Sequence, residues 1–441
     1  MIVKTTQAIN NAFIIKVVNE KLAENPRLQL LQDYYMGKHK IVMRAYDDPT
    51  QPNNRIPVNY CRKIADFLTS YLVGQPIRYE APQIILDNLN YNDEAETTQE
   101  IVRNMNIMGL GCELFYTDMD GIPRFANIDP QESIFIKDDT IEGNLTAYIR
   151  FYPNADEPDL YNVTVYTATD YTEYRMSRAV GELKIQGEPT PHLFGDVPAI
   201  LYPNNTEMLG AFEGVMSLQD ALNIIVSDEV NDFERFVDAF LVLKGMEATK
   251  PGDLGKMKQD RVFLLGSESD AQWLVKNVNN THIKELKLSI IAKIHELGSI
   301  PDIENMGSFG TSGVALRFKM LGTDIAAAQQ ERTVHKGILR RLELLYSILR
   351  ITDPSVGFFT DVNFTFERNP IIALEALDQK RIDLSLVERN ILSKETFLRT
   401  WKGMTPEEAA EELRRVSVET DPMYGIGNNI PTGERTEENG S

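Results

Sequence analysis

Apolar residues recurring three and four positions apart mark the first ordered elements of this 441-residue chain. Leu22 to Met36 is rich in helix formers and stops at Gly37, ahead of the loop Asp47-Asp48-Pro49-Thr50-Gln51-Pro52. From about Val58 to Val73, the residues Ile64, Phe67, Leu68, Tyr71 and Leu72 share one helical face, and Gly74 with Pro76 supplies the stop. Between Asn106 and Phe151 the pattern turns to strands. Cys112 to Asp118 and Pro123 to Ile128 flank Met119-Asp120-Gly121, where Asp-Gly favours a tight turn, so a hairpin is predicted. Strands at Ser133 to Ile136, Thr146 to Tyr152, Asn162 to Ala168 and Thr172 to Ser177 complete a small β-rich unit with helical edges.

Beyond Leu209 long helices take over. Val215, Leu218, Leu222, Val226, Val230, Phe233, Val237 and Phe240 mark one face of a helix spanning about 45 Å. Its charges are lopsided: Glu213, Asp220, Asp228, Glu229, Asp232, Glu234 and Asp238 stand against Arg235 alone. Short strands near Leu241 to Lys244 and Val262 to Leu265 bracket a Gly-, Pro- and Lys-containing loop. A second helix then carries Ile283, Leu286, Ile290, Ile294 and Leu297. The Gly-rich run Asn305-Met306-Gly307-Ser308-Phe309-Gly310-Thr311-Ser312-Gly313 opens onto a third helix, about Val314 to Leu349. Its inward positions are read as Phe318, Leu321, Ile325, Ala328, Leu339, Leu342, Leu345 and Leu349. A strand at Val362 to Phe366 and helices near Ile371 to Leu384, Ser393 to Lys402 and Pro406 to Ser417 follow, with Ser393 and Thr405 as N-caps. From Glu419 onward no apolar period survives, and a disordered tail is expected. The fold class is α+β, in two to four cooperative units.

Charge narrows the function. Acids exceed bases by 65 to 45, a formal charge of -20, and such a surface repels phosphate, so a tight or sequence-reading DNA binder is disfavoured. Weak, transient DNA contact stays open. Two cysteines, Cys61 and Cys112, are too few for a disulfide framework and lack zinc-site spacing. No stretch reaches the length of a membrane span, and none resembles an export signal.

Candidate chemistry is thin. The Gly-rich loop lacks the Gly-Lys-Ser/Thr ending of a phosphate-binding loop, Gly109-Leu110-Gly111 leads into a strand, and no histidine pair has metal-binding spacing. Asp118-Met119-Asp120-Gly121 starts like a calcium loop, but Pro123 stands where the turning glycine belongs. No nucleophile, catalytic dyad, metal or cofactor site is assigned, and the chain is not expected to be an enzyme.

The run Asn53-Asn54-Arg55-Ile56-Pro57-Val58-Asn59-Tyr60, with Ile64-Ala65-Asp66 and Tyr71-Leu72-Val73-Gly74-Gln75-Pro76-Ile77, resembles the signature of portal proteins of Gram-positive-type siphophages. Tyr34-Tyr35-Met36-Gly37-Lys38-His39, Gly109 through Tyr116, Ile128-Asp129-Pro130, Ser312 through Gly322, Gly337 through Leu344, Phe366 through Pro370 and Leu392 through Thr396 extend the resemblance up to about Glu419. Between Thr400 and Ser417 the pattern departs from the family, with Gly403-Met404-Thr405-Pro406 in place of the usual Asp-Pro stretch.

The resemblance implies the portal fold and a dodecameric ring at the capsid vertex through which double-stranded DNA is packaged and ejected. It implies a wing at 1–208 and 350–384, stem helices at 209–240 and 277–297, and a clip at 241–276. A tunnel loop at 298–313, a long joining helix at 314–349, a crown at 385–418 and a tail at 419–441 complete the plan. Implied DNA-facing residues are Asn305, Met306, Gly307, Ser308, Phe309, Gly310, Thr311 and Ser312, with Phe309 either touching DNA or packing on the neighbouring loop. Candidate channel-lining residues are Asp228, Glu229, Asp232, Lys284 and Lys287, where the acids either face the DNA or form a solvated or ion-paired face. Lys250, Lys256, Lys258 and Arg261 are candidate clip contacts. The implied partners are further copies of the chain, the terminase large subunit, head-completion or adaptor proteins, and the major capsid and scaffolding proteins. The expected places are the virion and, during assembly, the host cytoplasm. The alternative is a helical scaffold or adaptor that binds partner proteins without moving DNA.

Overall fold

The computed structural model of the chain describes residues 1–45, 51–178, 181–237, 240–244, 270–274, 280–302, 313–353, 356–357, 359, 362–368 and 373–419. The chain divides into two compact units. One comprises Met1–Asn305 and Met320–Asn369, the other Met306–Lys319 and Pro370–Ser441. Helices and sheets are both present and largely segregated, an α+β architecture.

In the first unit, strand β1 (Ile2–Lys4) precedes helix α1 (Asn11–Tyr35), which starts eleven residues earlier than the periodicity suggested. Asn10 caps it by accepting the Phe13 amide at 2.9 Å, and Pro26 lies within it. Helix α2 (Tyr60–Val73) is followed by β2 (Arg78–Glu80), α3 (Gln83–Tyr91) and α4 (Glu94–Met108). The sequence reading assigned neither of the last two helices. Helix α4 stops at Gly109, whose φ of 84° brings its backbone so close to Met208 that an added Cβ would lie 2.0 Å from the Met208 carbonyl oxygen.

The predicted hairpin forms from β3 (Leu110–Thr117) and β4 (Pro123–Ile128), but it belongs to a small sheet of its own. Its third strand is β11 (Ala199–Pro203), giving the order β11-β3-β4. The other strands, β5 (Ser133–Lys137), β6 (Leu145–Pro153), β7 (Leu160–Tyr166), β8 (Asp170–Ser177), β9 (Leu183–Ile185) and β10 (Thr190–Pro191), form a second sheet with β1 paired parallel to β5. Helix α1 covers that sheet through Phe13, Ile14, Val17 and Val18 against Ile134, Ile149, Phe151 and Val163.

The later part of this unit holds helices α5 (Met216–Val237) and α6 (Asn280–Leu297), and strands β12 (Phe240–Lys244) and β13 (Asp270–Leu274), which pair antiparallel. Helix α5 begins seven residues later than read from the sequence. Before it, Asn204 and Asn205 donate to the Leu209 carbonyl, Asn205 also accepts the Leu209 amide, and a short 3-10 turn at Glu213–Val215 intervenes. The strand opposite Phe240–Lys244 is Asp270–Leu274; the expected partner Val262 to Leu265 lies outside the described residues.

Helix α7 (Gly313–Thr352) is the long helix, and β14 (Asn363–Thr365) pairs with β2. Its inward face in the N-terminal half differs from the periodic reading. Phe318, Leu321 and Ile325 are 74%, 53% and 63% exposed, whereas Met320, Thr323, Ala327, Gln330 and Val334 are buried. The inward stripe there carries polar residues because it meets polar partners: Thr323 donates to the Ser299 carbonyl at 2.6 Å, and Gln330 donates to Asn106 at 2.7 Å and Asn204 at 2.8 Å. Further along, Leu342, Leu345 and Leu349 are buried as expected.

Arg341 of α7 is fully buried. Its guanidinium donates to Glu113 at 2.8 Å, Glu94 at 2.7 Å and Thr98 at 2.8 Å, and its carbon sits 4.7 Å from the Phe125 ring centroid. Two carboxylates meet one guanidinium, and the surplus charge is met by hydroxyls. Tyr202 donates to Glu113 at 2.6 Å, while Tyr79 and Thr98 donate to Glu94 at 2.7 and 2.6 Å. Burial raises the Glu113 carboxyl above its ordinary value, against the downward pull of Arg341.

In the second unit, α8 (Ala373–Glu388), α9 (Lys394–Lys402) and α10 (Pro406–Glu419) pack as a small helical group. Both predicted caps are formed: Ser393 accepts the Thr396 amide at 3.0 Å, and Thr405 and Glu408 make a reciprocal capping box at 2.9 and 3.2 Å. Trp401 donates to Asp383 at 2.9 Å and ties α9 to α8.

Removing Arg341 leaves two buried carboxylates without their cation, which costs about 3–5 kcal/mol. Arg341→Met is expected to lose that much stability in urea unfolding near pH 8. A folded carboxyl raised above its unfolded value binds a proton in the window between the two, so folding is favoured below that window and penalised as pH rises through it. Without Arg341 the window widens upward. The variant's deficit should therefore shrink between pH 8 and pH 5.5, and a deficit independent of pH would contradict the role given to the glutamates.

Candidate functional site: the docked helix pair

The run Asn54 to Asn59, which leads into α2 at Tyr60, pairs with no strand, so its amides take acceptors from elsewhere. Helix α5 provides them from side chains. The amides of Asn54, Ile56, Val58 and Tyr60 donate to Asn231 Oδ1 at 2.7 Å, Ser227 Oγ at 3.0 Å, Asn223 Oδ1 at 2.9 Å and Gln219 Oε1 at 2.9 Å. Two extended residues advance about 6.6 Å and four helical residues about 6.0 Å, so every second amide meets every fourth side chain. The run and the helix are antiparallel. Pro57, which has no amide hydrogen, falls between rungs, and Arg55 and Pro57 point to solvent.

All four acceptor residues are buried, at 0 to 2% exposure. The ladder is cross-braced. Gln219 donates to the Val58 carbonyl and to Asn223 Oδ1 at 2.9 Å. Asn223 Oδ1 faces the Val58 amide, so its Nδ2 is the group 2.8 Å from Nδ1 of buried His39. Nδ1 therefore accepts, and the His39 Nε2 hydrogen is donated to the Tyr34 carbonyl at 2.9 Å. His39 thus braces the end of α1 against α5.

The most buried stripe of α5 is polar, which corrects the apolar face read from the sequence. Leu222 of that face is buried, but Leu218, Val226 and Val230 are half-buried and Phe233 is 70% exposed. Periodicity counts apolar side chains and had no means to register acceptors owed to an extended segment 159 to 177 residues away. The available signal was the four-residue spacing of Gln219, Asn223, Ser227 and Asn231.

Four acids of this region are matched by cations. Glu213 pairs with Arg27 at 2.7 Å, Asp220 with Lys40 at 2.9 Å, Asp228 with Arg44 at 2.8 Å and Glu229 with Lys287 of α6 at 2.7 Å. Tyr34 also donates to Asp220 at 2.7 Å. Of the candidate channel-lining residues, the structure thus joins Glu229 to Lys287 and takes Asp228 toward Arg44. Asp232 is half-buried and Lys284 is exposed. The candidate loop residues Asn305, Met306, Gly307, Ser308, Phe309, Gly310, Thr311 and Ser312, and the candidate clip residues Lys250, Lys256, Lys258 and Arg261, lie outside the described residues.

Among the described residues no group of three His, Cys, Asp or Glu could hold a metal ion, and no helix is long and apolar enough to cross a membrane. Burial pushes the thiols up, to about 12 for Cys61 and about 11 for Cys112, which keeps both protonated and unreactive near neutrality.

The family model for phage portal proteins of the SPP1 Gp6-like type matches residues 15–422. The chain belongs to that family. The portal protein of Bacillus phage SPP1 is 23% identical over 462 residues, covering 98% of this chain and 88% of its own. Among solved structures, a chain from the virion of a native gene transfer agent particle is 13% identical, with a TM-score of 0.45. One from the neck of the native particle is 14% identical, with a TM-score of 0.41. Both comparisons cover 80% of this chain and 91% of the other. The chain is therefore a phage portal protein, and the run that docks α5 lies within the matched residues.

Asn223→Ala removes the acceptor for Val58 and the donor to His39. It should cost about 1–3 kcal/mol and speed hydrogen exchange at the Val58 amide, whereas Ile224→Ala on the exposed side should change stability by less than about 0.5 kcal/mol. Unchanged protection at Val58 would show that the ladder does not hold the run.

Proposed function

We propose that this portal protein assembles into a closed dodecameric ring at the capsid vertex, with an axial channel for double-stranded DNA entering and leaving the head. In this reading it is not an enzyme and carries no cofactor. The ATP hydrolysis of packaging belongs to the terminase large subunit that docks on it, and head-completion or adaptor proteins follow at the same end. Major capsid and scaffolding proteins surround it, and assembly takes place in the host cytoplasm. The observation that carries the proposal is the family match over residues 15–422.

Exposed apolar side chains support association. Ile224 and Phe233 on α5, Leu286, Leu288 and Leu297 on α6, and Phe318, Leu321 and Ile325 on α7 are each 48 to 74% exposed. A run of such residues along helices is expected where copies meet. Helices α5 and α6 are assigned as the stem, and the sheets with α1 to α4 as the wing. The segment ahead of α7 is assigned as the tunnel loop, 241–276 as the clip and α9 with α10 as the crown. Gly307, Gly310 and Gly313 would let the loop rearrange as DNA passes, with small polar side chains giving sequence-blind contact.

The purified chain is expected to form a large ring at micromolar concentration, visible by mass photometry and with a central channel in negative-stain class averages. Monomers and dimers alone across a range of salt would count heavily against the ring. Deleting Gly307 through Thr311 should spare the ring and impair DNA packaging; normal packaging by that variant would sink the tunnel-loop assignment.

A further inference from the structure

A groove of about 710 Å³ opens between α7, β11 and the β1–β5 edge of the larger sheet. Its floor is apolar, with Leu145, Leu201 and Met208, and three cations stand around it: Lys137, Arg332 and Lys336. In a chain of formal charge -20 this grouping is unusual, because none of the three makes an ion pair with a described residue. The remaining charges at the groove, Arg340 and Glu343, pair with each other at 2.9 Å. Lys137 is partly desolvated and has Lys336 and Lys4 as its nearest charged influences, all three acting to lower its pKa. Like charges held together without a counter-charge predispose this place to an acidic occupant. The apolar floor suits an occupant that brings a hydrophobic side chain as well, which a phosphate backbone does not offer.

The chain itself presents such a group. At the β3–β4 turn, Met119 is fully exposed between Asp118 and Asp120. The turn is ordered in advance: the Asp118 carboxylate accepts the amides of Asp120 at 3.0 Å and Ile122 at 2.9 Å, bonds that hold it below the usual carboxylate range. In the sheet order β11-β3-β4, the groove lies at the β11 edge and the turn is on the strand pair at the other edge. A contact that joins two different edges of the same sheet is heterologous, and repeated from copy to copy it generates a ring when the rotation closes.

We infer that the Asp118-Met119-Asp120 turn of one copy seats in the groove of the next, with Met119 on the apolar floor and the aspartates among Lys137, Arg332 and Lys336. The inference rests on the ring-forming reading above. A second acidic tip with an exposed apolar residue, Asp139 to Glu142 around Ile141, follows β5 and is the competing occupant that the crosslinking below distinguishes.

Charge reversal tests it. Lys336 and Asp120 are exposed, so neither substitution should disturb the fold, which thermal unfolding of the same samples checks. Lys336→Glu and Asp120→Lys should each raise the concentration at which rings half-form, by roughly tenfold, and the double variant should recover most of the loss in mass photometry. In parallel, Met119→Cys combined with Thr333→Cys should give covalent oligomers with a short bismaleimide, since Cys61 and Cys112 are buried. Wild-type rings that persist unchanged in both single variants, or crosslinking through Ile141→Cys in place of Met119→Cys, overturn the seating alone. A wild-type chain that forms no ring overturns the ring reading and this contact with it.

Discussion

A segment that joins no sheet still needs hydrogen-bond acceptors for its amides, and much of the first unit is arranged around supplying them for Asn54 to Tyr60. Four amides are satisfied by four side chains on α5, spaced so that the two periodicities nearly coincide. The arrangement fixes α5 in position along its axis as well as in rotation. A slide by one residue would present Leu222, Val226 or Val230 to an amide in place of an acceptor, leaving buried donors unmet. Apolar packing alone tolerates such slippage far better, since hydrophobic contact is non-directional. Helix α6 inherits the setting through the Glu229 to Lys287 pair, and the end of α1 through His39.

The same device recurs along α7. Thr323, Gln330 and Arg341 lie on its buried side, and each is bonded to a different part of the unit: the turn after α6, the end of α4 with the loop after β11, and the cluster around Glu94 and Glu113. A long helix held at three levels by directional bonds acts as a rigid strut. Stability is a weaker reason for the arrangement than geometry, because a buried ion cluster seldom outperforms apolar packing of equal volume. For a subunit that must repeat a contact around a closed ring, small errors in helix placement accumulate from copy to copy, and directional bonds limit them.

Legibility in the sequence followed the nature of each force. The hairpin at Asp120-Gly121, the caps at Ser393 and Thr405 and the helix ending at Gly74 are local signals, and they stand in the structure where the sequence put them. The division of the strands into two sheets was not legible, because β11 joins β3 from a position far along the chain. The buried faces of α5 and of the first half of α7 were misread in part because their inward residues include Gln, Asn, Ser and Thr, which hydrophobic periodicity counts as solvent-facing. The resemblance singled out the run Asn53 to Tyr60 without revealing how it is held. Its alternation of half-buried residues with Arg55 and Pro57 is the trace of the ladder.

The ion pairs alter what an acidic helix means for DNA. Glu213, Asp220, Asp228 and Glu229 each have a cation within 3 Å, and a close pair acts at a distance as a dipole whose field fades well inside the screening length of about 8 Å at physiological salt. Such residues contribute little to repelling a duplex in a channel, wherever the channel lies. At the groove beside β11, Lys137, Arg332 and Lys336 have no ion pair with a described residue, and the proposed occupant there is a carboxylate-bearing turn rather than a phosphate backbone. Placing the unpaired positive charge at subunit seams would both strengthen the ring and keep it from gripping the polymer that passes through.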